Sequence, residues 1–154
     1  MKKAPLLYAA QFALGGLAYC GIEVAFRGYT HRSMLAAGGL CFVLLCLLAR
    51  SQIGLLPGAA IGGLAITAVE LATGVIVNLW LGLDVWDYSH RAFNLLGQVC
   101  LTYTLTWCLL SGLVILFARV IRGGALLYWE RAAKRAVLSE RAAVIAQTGR
   151  NRIG

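Results

Sequence analysis

The sequence predicts an all-α integral membrane protein with four transmembrane helices, and its composition and charge pattern indicate this fold class. Of the 154 residues, 60% are apolar and 13% are charged, whereas a soluble domain carries about 25% charged residues. The mean hydropathy is +0.79. Four stretches are nearly free of charge, and about 20 residues suffice to cross a bilayer as a helix. These stretches are residues 5–26, 34–48, 53–83 and 95–118.

The first two helices are predicted to form a hairpin. The first stretch follows two lysines, as in a signal peptide, but it has roughly 22 apolar residues and reaches Glu23, so we expect a retained helix. A tight turn over residues 27–32 follows, and the second helix returns to Arg50. Because the second stretch is short, we expect it to include flanking residues or to cross locally thinned lipid.

The third and fourth helices are predicted to flank the longest loop. We expect the third helix to run from Pro57 to about Leu83, because proline is tolerated in the first turn of a helix. Polar and aromatic residues concentrate in the loop at 82–94. The fourth helix is expected over residues 95–118, and Gly123-Gly124 is expected to end it.

The last residues, 125–154, are predicted to form a basic amphipathic helix beyond a transmembrane domain at 1–124. Basic residues concentrate at both termini, and Arg50 lies in the loop between the second and third predicted helices. By the positive-inside rule, we expect cytoplasmic N and C termini and a multi-pass protein of the cell (inner) membrane. The tail is expected to lie along anionic lipids or, alternatively, to continue the fourth helix into the cytoplasm. It lacks an interleaved aromatic platform, so we predict no nucleic-acid binding.

Several chemistries are not indicated. All five cysteines fall in predicted spans, their number is odd and no Cys-x-x-Cys occurs, so neither a disulfide framework nor a metal site is predicted. His31 and His90 lie in different loops, without the spacing of a metal site. The sequence has no Gly-x-x-x-x-Gly-Lys-Ser/Thr motif for phosphate binding. We therefore predict no metal and no cofactor, and we assign no catalytic residue.

Glu70 is the residue that most strongly indicates a site. It is the one charged residue of the 53–83 stretch, and a charge at the centre of a membrane helix costs about 2.5–3.5 kcal/mol on insertion scales. We expect it to face protein or a water-filled cavity, to be protonated, or to pair with a cation. Asn78 lies on the same helical face and is included in the predicted site. A buried hydrogen bond between helices is the structural alternative.

Glu23 is the second acidic residue of the membrane region, and two interpretations of it stay open. Arg27 follows at i+4, which predicts a local ion pair at the interface. Alternatively, Glu23 and Glu70 converge on one polar cavity that binds a cationic group or passes on a proton.

Polar residues near the fourth helix also have two interpretations. Gln98, Thr102 and Thr106 recur at i+4 and predict a ridge on that helix, facing either the acids or a neighbouring helix.

The loop before this helix also has two interpretations. Asp87, Tyr88 and Asn94 are expected either to cap helix ends or to form the mouth of a cavity whose floor is Glu70. Trp80, Trp86 and Tyr88 are expected to anchor the interface.

A spaced set of residues in this half of the chain resembles a known family. The set is Glu70, Trp86-Asp87-Tyr88-Ser89, Phe93-Asn94, Gly97, Cys100-Leu101 and Trp107. Its order and spacing resemble the CmpB-like, or ABC-transporter type IV, membrane family. Glu23 with Arg27 is similar to the acidic residue at the end of that family's first helix, whereas residues 31–39 depart from the family pattern. The resemblance implies a membrane fold and a transport role.

These features together predict a transport-related membrane protein with an intramembrane site for a substrate or a proton. The site is centred on Glu70 and Glu23, with Arg27, Asn78, Asp87, Tyr88, Asn94 and Gln98 around it. Because four helices are few for a complete pathway, we expect a homo-oligomer or a partner membrane subunit.

Other functions stay open beside this one. A proton-coupled exporter of cations is the second transport hypothesis. A membrane enzyme acting on a lipid or a lipid-linked group at the external face would use Asp87 and Glu23 as acid and base. A non-catalytic scaffold or regulator would dock through the basic tail.

Overall fold

The described residues form four helices, and an irregular loop joins the third helix to the fourth. The computed structural model describes the backbone of residues 3–150 and the side chains of residues 5–125, 127, 128, 131 and 134. The helices are α1 (Lys3–Arg27), α2 (Arg32–Arg50), α3 (Leu55–Gly74), which continues as a π-helical segment over Val75–Trp80, and α4 (Leu101–Arg150). Two short strands, β1 (Asn94–Leu95) and β2 (Val99–Cys100), pair antiparallel before α4.

All four predicted transmembrane helices are present. Within the described residues, four helical segments are long and apolar enough to cross a bilayer. They are Pro5–Arg27, Arg32–Arg50, Leu55–Trp80 and Leu101–Ala125. The prediction of a multi-pass, mainly helical membrane protein is therefore confirmed, while the cytoplasmic placement of the termini stays a prediction.

The C-terminal part of the chain forms a unit of its own. Contacts divide the chain into residues 1–118 and 119–154, and the expected boundary at residue 124 stays a prediction. The expected helix end at Gly123-Gly124 is wrong, because α4 is helical through both glycines. Glycine in a helix interior costs about 1 kcal/mol relative to alanine without removing a hydrogen bond. The amphipathic character predicted for residues 125–154 depends largely on side chains that lie outside the described residues.

Glycines bring α1 and α2 into close contact. A Cβ atom added to Gly38 of α2 would lie 2.5 Å from Tyr19 Cβ, and one added to Gly39 would lie 2.7 Å from the Phe12 carbonyl oxygen. Small residues allow helix backbones to approach in lipid, where the hydrophobic effect between helices is absent. The α1–α2 hairpin is therefore packed backbone against backbone.

The α3 and α4 helices meet through small and polar residues. A Cβ on Gly62 would lie 2.8 Å from Ser111 Cβ, and Thr67 Oγ1 lies 3.2 Å from Thr104 Oγ1 in a hydrogen bond. Beside this contact, an apolar cluster that includes Ile115 joins α2, α3 and α4. This packing fixes the orientation of α3 in the bundle and therefore the direction in which its Glu70 face points.

The loop between α3 and α4 is longer than the sequence indicated. The third helix ends at Trp80 rather than near Leu83, and the fourth begins at Leu101 rather than at residue 95. The backbone takes positive φ angles at Phe93 (53°) and Leu96 (55°), which a helix does not allow. The apolar residues before Leu101 look helical in sequence but form a hairpin.

The two tryptophans near this loop differ in exposure. Trp80 is 81% exposed, as expected of an interfacial anchor, whereas Trp86 is 7% exposed. Trp86 packs with Met34, Val77 and Val85. The prediction that Trp86 is an anchor is therefore wrong, because its ring fills the core beneath the loop.

Candidate functional site

The Glu70 side chain accepts a hydrogen bond at each carboxylate oxygen. The Tyr88 hydroxyl, from the loop, donates to Oε1 at 3.1 Å. The Trp107 indole N–H, from α4, donates to Oε2 at 2.9 Å. Both donors are neutral groups, so the carboxylate is held in place without an ion pair from either of them. The Glu70 side chain thus links α3 to both the loop and α4.

Tyr88 is positioned by both its backbone and its ring. Its backbone N–H donates to the Gly97 carbonyl at 2.7 Å, and its ring stacks on Tyr103 with centroids 4.6 Å apart. Burial, and next the charge of Glu70, raise the pKa of the Tyr88 phenol above its ordinary value. The hydroxyl therefore stays protonated and acts as a donor.

A cavity adjoins Glu70 inside the helix bundle. Its volume is about 170 Å³, and residues of α1, α2, α3 and α4 line it. The lining residues with polar or sulfur atoms in their side chains are Glu70, Tyr19, Trp107, Cys41 and Met34, and none of the described lining residues is basic. The remaining wall is mainly apolar and includes Phe42, Leu45, Ile66, Leu110 and Val114.

The carboxylate retains capacity to bind a ligand. An ionised carboxylate offers about four lone-pair positions, and the two protein donors occupy one on each oxygen. Glu70 is half-buried rather than enclosed. A donor or a cation that enters the cavity can therefore reach an acceptor that the protein already orients.

Glu23 belongs to a separate polar network. Its Oε1 lies 3.1 Å from Arg27 Nη1, and its Oε2 accepts a hydrogen bond from Thr30 at 2.6 Å. Arg27 also donates to the Val85 carbonyl at 2.6 Å. The local pair inferred from the i+4 spacing is present, but Glu23 is 5% exposed. Glu23 does not line the cavity beside Glu70, so the pair fastens the end of α1 to the loop.

Asn78 and Gln98 lie together under the loop. The Asn78 amide nitrogen donates to the Trp86 carbonyl at 2.9 Å and to Gln98 Oε1 at 2.7 Å. Its amide oxygen accepts from the Val85 N–H at 2.7 Å, and the Trp86 indole donates to the Gln98 carbonyl at 2.9 Å. We call these four residues the Asn78 network. These bonds hold the loop against the π-helical end of α3.

Asp87 and Asn94 hold the shape of the loop itself. Both Asp87 oxygens accept hydrogen bonds from Ser89, at 2.8 Å from its N–H and 2.7 Å from its hydroxyl. These bonds lower the pKa of the exposed Asp87 carboxyl below its ordinary value. Asn94 donates to the carbonyls of Ser89 and Arg91 and accepts from the Gly97 N–H at 3.1 Å. These bonds are made within the loop and not at the end of a helix, and a place for these residues at the mouth of the cavity stays a prediction.

The polar ridge expected on the fourth helix does not form. Gln98 precedes α4, and Thr106 is exposed and donates to the carbonyl of Thr102 in its own helix at 2.9 Å. Such back-bonding satisfies a hydroxyl in lipid without a partner helix.

Sequence reasoning missed Trp107 and Tyr19 as site residues. Trp107 has a recognisable signal, because its indole N–H lies within an apolar span and needs an acceptor there. Tyr19 and Cys41 give no comparable signal, since only the packing of α1 against α2 brings them to the cavity. In the part of the chain that the structure describes, no three His, Cys, Asp or Glu residues are grouped to hold a metal ion.

Comparison with known proteins places the chain in a family. No curated protein and no solved structure matches it. The family described as "Putative ABC-transporter type IV" matches residues 19–143, which is most of the chain. The matched region contains Glu70 with both of its donors, the loop, and the Glu23–Arg27 pair. The chain therefore belongs to the CmpB family of ABC-transporter type IV membrane proteins.

Proposed function

We propose that this chain is a transport-related membrane protein and that the Glu70 cavity is its substrate site. One observation carries the proposal: an acidic residue of a transmembrane helix faces an apolar cavity of about 170 Å³ that all four helices line. The family description supports the transport class. Glu70 is the residue that contacts the substrate, and Tyr88 and Trp107 orient its carboxylate.

The energetics of burying an acid favour this role over a purely structural one. A charge in the membrane centre costs about 2.5–3.5 kcal/mol on insertion scales, so ionisable residues there commonly mark substrate or proton pathways. Glu23 shows how the chain satisfies an acid for structure, with Arg27 on one oxygen and Thr30 on the other. Glu70 has no such enclosure and opens onto free volume instead.

The enzyme hypothesis receives less support. Asp87 is exposed and bound to Ser89, while Glu23 is buried and bound to Arg27 and Thr30. An acid–base pair must reach the same reacting group. Neither carboxylate lines the cavity, so the transport role accounts for the free volume better.

A second polypeptide completes the pathway in this proposal. The four helices line the small cavity beside Glu70, and the exposed apolar surface of the spans leaves room for a second copy or a partner membrane subunit. In this proposal the protein lies in a cell membrane with its N and C termini in the cytoplasm. The basic residues of the tail contact anionic lipid headgroups, and each basic residue near the surface contributes about 1 kcal/mol of binding free energy.

The rate at which Cys41 reacts with a water-soluble reagent tests whether molecules can enter the cavity, as a substrate site requires. Cys41 lines the cavity, whereas Cys46, five residues later on α2, is buried and does not. Two proteins are compared in liposomes, one retaining Cys41 and one retaining Cys46, with the other cysteines changed to alanine. The reagent is 2-hydroxyethyl methanethiosulfonate, which is small, neutral and soluble in water.

We expect Cys41 to react several times faster than Cys46, because the reagent can enter from water. Denatured samples of both proteins should react equally and serve as the control for thiol reactivity. If folded Cys41 is as slow as folded Cys46, the cavity is closed to water. The transport proposal is then wrong, and the scaffold hypothesis takes its place.

A further inference from the structure

We propose that the Glu70 cavity takes a small organic cation, with a positively charged nitrogen at the carboxylate and an apolar body in the remaining volume. This inference rests on the proposed function and names its substrate class. Three features of the cavity support it: uncompensated acidic charge, aromatic rings beside that charge, and an apolar wall of limited size.

The charge of the cavity favours a cation. Glu70 supplies a carboxylate, and none of the described residues that line the cavity is basic. Arg27 is engaged by Glu23 and by the Val85 carbonyl. A carboxylate in a medium of low dielectric constant is stabilised strongly by a cation in contact with it. A bound anion would instead repel Glu70.

Two aromatic rings strengthen the preference for a cation. Tyr19 and Trp107 both line the cavity, and their ring centroids are 6.1 Å apart. The Trp107 ring borders the carboxylate, since its N–H bonds Glu70. Cations bind the faces of tryptophan and tyrosine within about 6 Å of the ring centroid, most strongly when the pair is desolvated. Because Trp107 presents its N–H edge to Glu70, the bound cation gains a ring contact where it reaches the face of the Tyr19 or Trp107 ring.

The apolar wall excludes strongly hydrated metal ions. Ca²⁺ takes about six to eight oxygen ligands, whereas the lining offers the carboxylate of Glu70, the hydroxyl of Tyr19 and mainly aliphatic or aromatic surface. An organic cation exchanges its water for contacts with that surface at lower cost. Among cations, the cavity therefore favours those with a hydrophobic body.

The volume limits the size of that body. An apolar cavity of roughly 150 Å³ holds benzene in an engineered protein, and the present cavity measures about 170 Å³. One ring with one or two further atoms fits this volume. Benzylammonium has this size, and benzyl alcohol is a neutral molecule with the same number of heavy atoms.

Protection of Cys41 from 2-hydroxyethyl methanethiosulfonate measures binding of both probes in the protein that retains Cys41. We expect benzylammonium to protect at a concentration at least about tenfold lower than benzyl alcohol, a difference that one charge contact readily supplies. Glu70→Gln should raise the protecting concentration of benzylammonium by about 30-fold or more, as removal of one partner of a desolvated charge pair does. It should leave benzyl alcohol unchanged.

Two further variants keep the test independent of folding defects. Asp84→Asn removes the same charge from an exposed loop position with φ 46°, which asparagine tolerates. It should change the protection by neither probe. Tyr88→Phe removes one of the two donors that orient Glu70 while retaining the carboxylate, so benzylammonium should still protect at a lower concentration than benzyl alcohol.

Each contrary outcome overturns a distinct statement. If benzyl alcohol protects as well as benzylammonium, or if neither protects a reactive Cys41, the cationic substrate class is wrong while the cavity remains a site. The class is also wrong if Glu70→Gln and Asp84→Asn weaken benzylammonium equally, because a bulk charge effect then explains its binding. If Cys41 does not react at all, both the substrate class and the proposed function fail.

Discussion

The Asn78 network and the Glu70 cavity present buried polar groups in two different ways. In the network, Asn78 uses its amide nitrogen and oxygen in three hydrogen bonds to Val85, Trp86 and Gln98. In the cavity, Glu70 accepts one bond on each oxygen and borders open volume. Both sites lie on the same stretch of helix, about two turns apart.

The difference separates structural polar residues from a residue available to a ligand. A buried group that is enclosed by its protein partners fixes the fold and is out of reach of a ligand. A carboxylate with spare lone pairs beside a cavity can exchange a protein partner for a ligand. Five of the predicted site residues, Asn78, Asp87, Asn94, Gln98 and Arg27, are engaged in holding the loop; Tyr88 links that loop to Glu70.

The largest effect is expected from Asn78→Ala. This change leaves the Val85 N–H, the Trp86 carbonyl and the Gln98 side chain without their partner, and each buried unsatisfied group costs about 1–3 kcal/mol. We expect a loss of roughly 3 kcal/mol or more in the free energy of unfolding, measured in detergent by denaturant titration. Thr106→Ala, at an exposed threonine that bonds its own helix, should change it by less than about 0.5 kcal/mol. Equal effects would show that the network is not structural.

A smaller loss is expected from Gly97→Ala, and Gly28→Ala is its matched control. Both glycines have positive φ angles, 68° and 78°, so alanine costs about 1–2 kcal/mol of backbone strain at each. A Cβ on Gly97 would lie 2.8 Å from Asp87 Oδ1, whereas none of the described atoms lies within 4 Å of a Cβ on Gly28. We expect thermal unfolding to show Gly97→Ala as the less stable variant by about 1–3 kcal/mol. Equal losses would mean that the loop relaxes around Asp87 freely.

Glu70→Gln should have little effect on stability. The glutamine oxygen can accept from the Trp107 indole, and its amide can donate to the Tyr88 hydroxyl, so both contacts can remain. We expect the free energy of unfolding to change by less than about 1 kcal/mol, while protection by benzylammonium is lost. If the free energy of unfolding fell as much as in Asn78→Ala, Glu70 would be a structural residue.

The smallest effect is expected from Ser89→Ala on the titration of Asp87. Removal of the hydroxyl should raise the pKa of the Asp87 carboxyl toward its ordinary value of 3.8. Because the folded pKa is lowered, the contribution to stability is complete above the ordinary value and is lost as pH falls through the folded pKa. Carbon-13 NMR of the carboxyl measures the shift, and Ser89→Thr, which keeps a hydroxyl, should retain the lowered pKa. No change in Ser89→Ala would mean that the backbone bond alone lowers it.

The four spans could be predicted from the sequence, whereas the loop could not. Long apolar stretches require helices in lipid, so α1 and α2 lie within a few residues of their expected bounds. Leu95 and Leu96 extend the apolar pattern before α4, yet a left-handed backbone at Leu96 turns the chain into a hairpin. That turn depends on local bonds of Asn94 within the loop and on bonds of Gln98 to Asn78 and Trp86, and hydropathy records neither.

The site was predictable in its centre and not in its surroundings. Glu70 stands out because its charge lies within an apolar span. Its donors come from a loop residue, Tyr88, and from Trp107, 37 positions away, and the cavity arises from helix packing. Glu23 resembled Glu70 in sequence, but its neighbours Arg27 and Thr30 enclose it.

A high-resolution structure in a lipid nanodisc tests the claim that Glu70 is available to a ligand whereas Asn78 is not. We expect non-protein density, from ordered water or a bound molecule, within hydrogen-bond distance of Glu70 inside an open cavity, and none within the Asn78 network. The claim would be contradicted by a collapsed cavity in which protein groups occupy every bonding position of the Glu70 carboxylate, because Glu70 would then be a structural residue like Asn78.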